Sequence, residues 1–477
     1  MVKTKSLNLN VRTSRPVAPA GAAAEMFAVA TIQALLPQVE DGEEKRKPID
    51  VVVVLDKSGS MSGQKIDLCR NTVAFLIEHA LGQEDRLGLV TFDSDVSRVF
   101  DLTHMTQEGK ASCLAKVKAV QSGSNTNLSG GLFAGVEQVL RAPRPADVCA
   151  VLLLTDGQMN AGITDRAALA RIMKGMLDSF PAGRTRPTVH TFGYGEDADV
   201  DALRAISDAS SGMFYAVLTQ EAVPLAFSNV IGGLQAITAQ NLELSVELLG
   251  GASFSGKPLN KYTTKMVAPN HWTLQIKDMY AGETRDLVFK MVFPVVPESK
   301  APTITFKATL NYVDCILEEP VRLEAAVDVL RIPGDKVPAD VAEDPEVVKQ
   351  AARVEAVAAI EEAQRLSNAG DYKRGSEFLA SAKTYLTERL QAVKLTKDVD
   401  ANVNEMLNDM ELAEEAVRSS TNYSGAGKSR IASMTVSHAA QRSNKADESM
   451  SDFGVLSPYS TPGQTKMMKI TKSAFGI

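Results

Sequence analysis

The spacing of apolar residues changes twice along the chain, and each change marks a different kind of structure. From 48 to 236, short apolar runs alternate with longer amphipathic segments. The runs are IDVVVVLD, RLGLVTF, VSRVFDL, DVCAVLLLT, RPTVHTFG and GMFYAVLT, separated by helical patterns such as GQKIDLCRNTVAFLIEHAL and LSGGLFAGVEQVLRA. A run such as VVVV leaves no polar face, which suits a strand buried on both sides of a mostly parallel sheet. Strands alternating with helices predict an α/β doubly wound fold for 48–236.

From 237 to 333 the period falls to two. Leu242, Leu244, Val246 and Leu248 alternate with polar residues, as do Leu287, Phe289, Met291 and Phe293, and then Ile304, Phe306, Ala308, Leu310 and Tyr312. This predicts an antiparallel β-sandwich over 237–333. The same period at Leu7, Leu9 and Val11 predicts that 1–47 is a β segment of that sandwich, with the α/β unit inserted into it. From 340 to 420 the pattern is helical. Asp344 and Pro345 fit an N-cap and first turn, and Gly370 fits a stop. Val347, Ala351, Val354 and Ala358 form one stripe. Leu379, Ala382, Leu386 and Leu390 form a second, and Val399, Val403, Met406, Met410, Ala413 and Val417 a third. Three such helices predict a small antiparallel bundle. The last stretch, 421–477, is rich in Ser, Thr and Gly with few large apolar residues, and is expected to be a flexible tail.

Composition narrows the function. A chain of 477 residues is too long for one core. The net charge of −7 argues against a nucleic-acid surface, where Lys and Arg must neutralise phosphate. Cys69, Cys113, Cys149 and Cys315 show no CxxC pairing, so they make neither a zinc knuckle nor a dense disulfide framework. Reduced thiols fit a cytoplasmic or nuclear protein. The opening MVKTKSLNLNVRT lacks the apolar stretch of a signal peptide, MFAVATIQALLP is too short to span a bilayer, and no membrane span is expected.

The chemistry concentrates in DKSGSM, Asp56 to Met61, directly after IDVVVVL. A strand's C-terminal end in a doubly wound sheet opens into the crevice where ligands bind. Residues two apart on an extended loop point the same way, so Asp56, Ser58 and Ser60 can converge. SGSNTNLSGG places Thr126 in a Gly-rich loop before a helix, and VLLLTDGQ places Thr155 and Asp156 at another strand end. Oxygen donors without His or Cys select a hard cation, Mg²⁺ or Mn²⁺. Any one segment alone would be only a helix cap or an Asp-Gly turn. GAGKS at 425–429 lacks the earlier glycine and the preceding strand of a phosphate loop. Asp93 and Asp95 in FDSDVS fit hairpin-turn acids. None of the histidines, His79, His104, His190, His271 and His438, has a partner at motif spacing.

D-x-S-x-S after the first strand, Thr in a downstream Gly-rich loop and T-D-G after a later strand resemble the von Willebrand factor A domain and its metal-ion-dependent adhesion site. The resemblance implies that Ser58 and Ser60 hold Mg²⁺ directly and that Thr126 does so in a liganded state. It implies that Asp56 and Asp156 act through water or as anchors behind them. FAVATIQALLP, FGYGEDADVDALRAIS, GGLQAITAQNLEL and SHAAQR further resemble intracellular proteins of this type with a conjoined β and helical region, among them plant RING-type ubiquitin ligases. Four scattered cysteines cannot supply a RING. The expected function is therefore recognition: an adaptor that is not an enzyme, binds a partner's Asp or Glu carboxylate through Mg²⁺, and acts in ubiquitin-related recognition. A metal-independent scaffold using the helices and tail is the alternative, and a metal-assisted hydrolase the third reading.

Overall fold

The computed structural model describes residues 5–37, 46–156, 158–181, 185–259, 261–297, 303–444 and 457–477. The chain begins with β1 (Leu7–Thr13), β2 (Val17–Pro19) and β3 (Ala24–Ala34). β1 and β3 are antiparallel, with Leu7 opposite Ala34 and Thr13 opposite Ala28. The chain then leaves this sheet to build a second one.

That second sheet starts at β4 (Ile49–Asp56), whose residues are all buried. It continues through α1 (Gln64–Phe75), β5 (Arg86–Phe92), β6 (Val96–His104), α2 (Gln107–Lys118), α3 (Leu128–Arg141) and β7 (Val148–Thr155). It closes with α4 (Arg166–Asp178), β8 (Thr188–Tyr194), α5 (Val200–Ala209), β9 (Phe214–Val217) and α6 (Ala222–Leu234). The strand order is β6-β5-β4-β7-β8-β9. All neighbours are parallel except β6, which pairs antiparallel with β5 at the edge. The uninterrupted Val and Leu runs of β4 and β7 are explained by this position, since helices cover both faces. From β4 the chain first moves outward to β5 and β6, then crosses back to β7. The switch point, where an open α/β sheet forms its crevice, therefore lies between the C-terminal ends of β4 and β7.

The chain next returns to the N-terminal strands through β10 (Ile237–Leu249), β11 (Ser253–Phe254), β12 (Thr263–Ala268), β13 (His271–Tyr280), β14 (Thr284–Phe293), β15 (Ile304–Asp314) and β16 (Glu319–Ile332). Two sheets result, β1-β3-β14-β11 and β12-β13-β10-β15-β16-β2. β3 runs antiparallel to β14, from Gln33 opposite Thr284 to Ala24 opposite Phe293. The period-two residues Leu242, Leu244, Val246 and Leu248 are buried between the sheets, together with Phe289 and Phe306.

Helices α7 (Pro345–Asn368), α8 (Tyr372–Ala392) and α9 (Ala401–Ala416) follow. Asp344 caps α7, accepting from the N–H groups of Glu346 and Val347, and Gly370 after its end has φ +83°. Its burial is two-sided, unlike the single stripe expected from sequence. Val347 packs with Val29 and Val288 on the β3–β14 sheet, while Val348, Ala352, Ala356 and Ile360 face α8 and α9. Ala358, placed on the stripe by spacing, is exposed. Val399, also placed on an apolar face, is 71% exposed in the turn before α9.

The expectation of a flexible, coreless tail is corrected by α10 (Ser420–Asn422), α11 (Lys428–Ala440) and α12 (Pro462–Phe475). Ala432 and Val436 of α11 complete the core of the α/β unit, and Ile431 joins the helical core. Two of the hydroxyl residues buried here, Thr435 and Ser437, bond to nearby backbone carbonyls. Thr435 Oγ1, for example, donates to Ile431 O at 3.0 Å. The segment lacks large apolar residues because it packs into cores that its neighbours supply. Residues 445–456 of that expected tail lie outside the described residues.

Candidate functional site

Asp56, the last residue of β4, has no solvent exposure. Its Oδ1 accepts from the Ser58 N–H at 2.8 Å, and its Oδ2 accepts from Thr155 Oγ1 at 2.6 Å. The first bond curls the loop so that the Ser58 hydroxyl turns toward that of Ser60, 3.1 Å away. The second ties the ends of β4 and β7 together at the switch point. Asp156 follows Thr155, is itself buried, and accepts from the Asp199 N–H through its carbonyl at 3.1 Å.

Thr126 arrives on the loop before α3. Gly59 N–H donates to Ser124 O at 2.8 Å, and Gly123 N–H donates to Lys57 O at 2.6 Å, which lays this loop against the serine loop. Asn160 Oδ1 accepts from the Thr126 N–H at 2.7 Å, and Ala161 N–H donates to Thr126 O at 3.2 Å. The loop after β7 thus closes on Thr126 from the other side. All five candidate residues therefore belong to three loops that hydrogen-bond to one another at one end of the sheet. Ser58, Thr126 and Asp156 are buried and Ser60 is exposed. Asn160 carries no motif, and its part in holding Thr126 could not be read from spacing.

Burial pushes the Asp56 carboxyl above its usual range, and the charge of Asp156 pushes the same way, while hydrogen bonds from Ser58 and Thr155 pull it back. Neither acid forms an ion pair with Lys or Arg among the described residues. The buried carboxylates of Asp56 and Asp156, the paired hydroxyls of Ser58 and Ser60, and Thr126 on the adjoining loop are oxygen donors of the kind a hard divalent cation takes. The hydroxyl spacing fits as well, since adjacent oxygens on an octahedron with bonds of about 2.1 Å lie about 3.0 Å apart.

The other candidates do not join this donor set. Asp93 and Asp95 form the β5–β6 hairpin turn, where Asp93 Oδ1 accepts from the Asp95 N–H at 3.0 Å. His190 lies inside β8 opposite Leu152, with Nδ1 accepting from the Met213 N–H. His438 sits between Tyr459 and Asp409, each 3.0 Å away. GAGKS belongs to the turn Tyr423–Gly427 and the start of α11, with no strand before it. No helix among the described residues is long and apolar enough to cross a membrane.

Comparison with known proteins agrees with this architecture. Residues 50–229 match the sequence model of the von Willebrand factor type A domain. Over 371 residues the chain is 26% identical to E3 ubiquitin-protein ligase WAV3 of Arabidopsis thaliana, covering 76% of this chain and 46% of that protein. It is 25% identical to E3 ubiquitin-protein ligase WAVH1 of the same plant, over 53% of this chain and 33% of that one. The chain thus spans less than half the length of these relatives. Among solved structures, von Willebrand factor type A from Catenulispora acidiphila superimposes with TM-score 0.65, covering 92% of this chain and 98% of that one at 16% identity. The ArnB paralog VWA2 from Sulfolobus acidocaldarius gives 0.55 over 88% and 99%, again at 16% identity. At that identity the likeness is one of fold.

Proposed function

Residues 50–229 form a von Willebrand factor type A domain, and from that premise we propose that the chain is a recognition module that binds an acidic group of a protein partner through Mg²⁺. The observation that carries this reading is the 3.1 Å pair of Ser58 and Ser60 hydroxyls, held in front of a buried Asp56 at the switch point. Ser58, Ser60 and Thr126 would hold the cation, with Asp56 and Asp156 behind them. The bound Mg²⁺, or Mn²⁺, supplies a Lewis-acidic position for an Asp or Glu carboxylate of the partner. The chain's own residues set the geometry: Asp56 fixes the Ser58 backbone, Thr155 fixes Asp56, and Asn160 fixes Thr126. Neutral hydroxyls leave the cation most of its charge, which favours an anionic ligand, while Mg²⁺ gives up water reluctantly and keeps the affinity modest.

Binding is favoured over hydrolysis because a hydrolase needs a base aimed at a nucleophile. Both Asp56 oxygens are occupied by the Ser58 N–H and the Thr155 hydroxyl, and His190 and His438 are held by partners of their own. The likeness to two Arabidopsis ubiquitin ligases supports placing this recognition in ubiquitin-related chemistry, with no ligase step assigned to these residues. Four free, buried cysteines fit a cytoplasmic setting.

The test is partner capture quantified by mass spectrometry, using folded wild type in Mg²⁺, wild type in EDTA, and Ser58→Ala in Mg²⁺. Proteins lost together in the last two conditions are expected. A partner set unchanged across all three would instead support a metal-independent scaffold that binds through its helices and C-terminal segment.

A further inference from the structure

The residue between Asp56 and Ser58 is a lysine, and it does not face solvent freely. Lys57 Nζ donates to Asp93 Oδ2 at 2.6 Å, with side-chain exposures of only 19% and 13%. Asp93 is a hub rather than a simple turn acid. Its carboxylate also accepts from the backbone N–H of Asp95, and its carbonyl accepts from the Asn127 N–H at 2.8 Å. The Lys57 backbone is equally engaged: its N–H donates to Phe92 O at 2.9 Å, and its carbonyl accepts from the Gly123 N–H at 2.6 Å. A Cβ on Gly123 would stand 1.7 Å from Asp93 Oδ2, so any side chain there would displace this carboxylate. Burial works against ionisation of Asp93, yet the Lys57 ammonium and the backbone donors hold its carboxyl below the usual range.

These bonds converge on two loops. One carries Ser58 and Ser60, and the other runs from Gly123 to Asn127 and carries Thr126. From this juxtaposition we infer that the Lys57–Asp93 ion pair is a positioning element for the cation site, setting the distance between the serine hydroxyls and Thr126. The pair touches neither cation nor partner and acts through the loops it joins. The inference rests on the metal-binding reading above and adds to it a partly buried, charge-assisted tie that the hydroxyl donors require. Groups that orient metal ligands in this indirect way typically change affinity by roughly 10- to 100-fold when removed.

The experiment measures Mn²⁺ binding by electron paramagnetic resonance for wild type, Lys57→Met, Asp93→Asn, the double variant and Ser58→Ala. An Arg98→Met variant, which removes a more exposed pair with Glu137 on the edge strand β6, serves as control. Thermal unfolding confirms that each is folded. Amide hydrogen exchange of 58–60 and 123–127 is read without metal. Wild type should bind, each single variant should lose about tenfold, and the double variant should lose no more than either single, because both remove the same tie. Exchange in both loops should quicken in Lys57→Met and Asp93→Asn and stay unchanged in Arg98→Met. Variants that bind Mn²⁺ as wild type does, or loops that exchange at the wild-type rate, would overturn the inference. If wild type binds no better than Ser58→Ala, the metal reading itself fails. The exchange measurement then shows whether the tie between the loops exists without it.

Discussion

The Thr155 hydroxyl donates to Asp56 Oδ2 at 2.6 Å, joining the ends of two neighbouring parallel strands that are 99 residues apart in sequence. Thr155→Val keeps the β-branched shape and removes the donor. A buried carboxylate that loses a charge-assisted hydrogen bond should cost about 1–3 kcal/mol of stability. Urea unfolding should show that loss, and a difference below about 0.5 kcal/mol would mean that the bond contributes little.

His190 should make stability pH-dependent. Burial, assisted by the charge of Arg442, pushes its pKa down to about 3, against about 6.5 when unfolded. The unfolded chain therefore takes up a proton as the pH drops below about 6.5, while the folded one does not. Stability is complete above that value and declines as pH falls toward the folded pKa. His190→Asn keeps an acceptor at the Nδ1 position for the Met213 N–H without titrating. Relative to it, wild type should lose about 1.4 kcal/mol between pH 7.5 and 5.5. Parallel pH profiles for the two proteins would refute this assignment.

Arg442 is sealed between the sandwich and the C-terminal segment. It bonds Glu283 Oε1 and Asp278 Oδ1, both at 2.8 Å, and lies 3.5 Å from the centre of the Tyr280 ring. Arg442→Met removes the cation and leaves its acids buried, which should cost about 3–5 kcal/mol. Arg442→Lys should recover only part of this, since an ammonium cannot form the same forked contacts. Equal stability of Lys and wild type in thermal unfolding would show that charge alone suffices.

Gly232 of α6 faces α12 at a separation that admits no side chain. A Cβ there would meet Gly463 O at 2.7 Å and Gln464 Cα at 2.9 Å. On the same face Met467 and Met468 are buried, Thr471 bonds Ser228, Gln464 bonds Asn229, and Phe475 meets Phe75 edge-on, so a shift at Gly232 is felt along the whole helix. Gly232→Ala should therefore loosen α12 selectively, at a cost of about 1–3 kcal/mol. Hydrogen exchange should quicken across 462–475 and hold steady in β4 and β7. Uniform acceleration throughout the α/β unit would point to general destabilisation instead.

The fold class was legible because burial leaves a period in sequence. The Val run of β4 and the alternation of β10 belong to different sheet environments, and the structure shows the α/β and antiparallel layers they imply. The positions of Asp56, Ser58, Thr126 and Asp156 at strand and loop ends were legible for the same reason. Contacts between distant residues were not. Nothing near Asn160 marks it as the acceptor for the Thr126 N–H, and Asp93 reads locally as a turn acid until Lys57 is brought beside it. α11 was misjudged because counting large apolar residues measures whether a segment can build a core, and this one enters cores already built.

The pairing of β3 with β14 has a consequence for synthesis. Gln33 meets Thr284 only after the whole α/β unit has been made. At roughly 5–20 residues per second, the intervening stretch takes on the order of 10 to 50 seconds to leave the ribosome. Through that interval the β1–β3 hairpin waits with its apolar face and one strand edge unmatched, while the inserted unit can pair all of its own strands and lacks only the later α11 and α12 residues of its core. The nascent chain is therefore most in need of a chaperone at its oldest end.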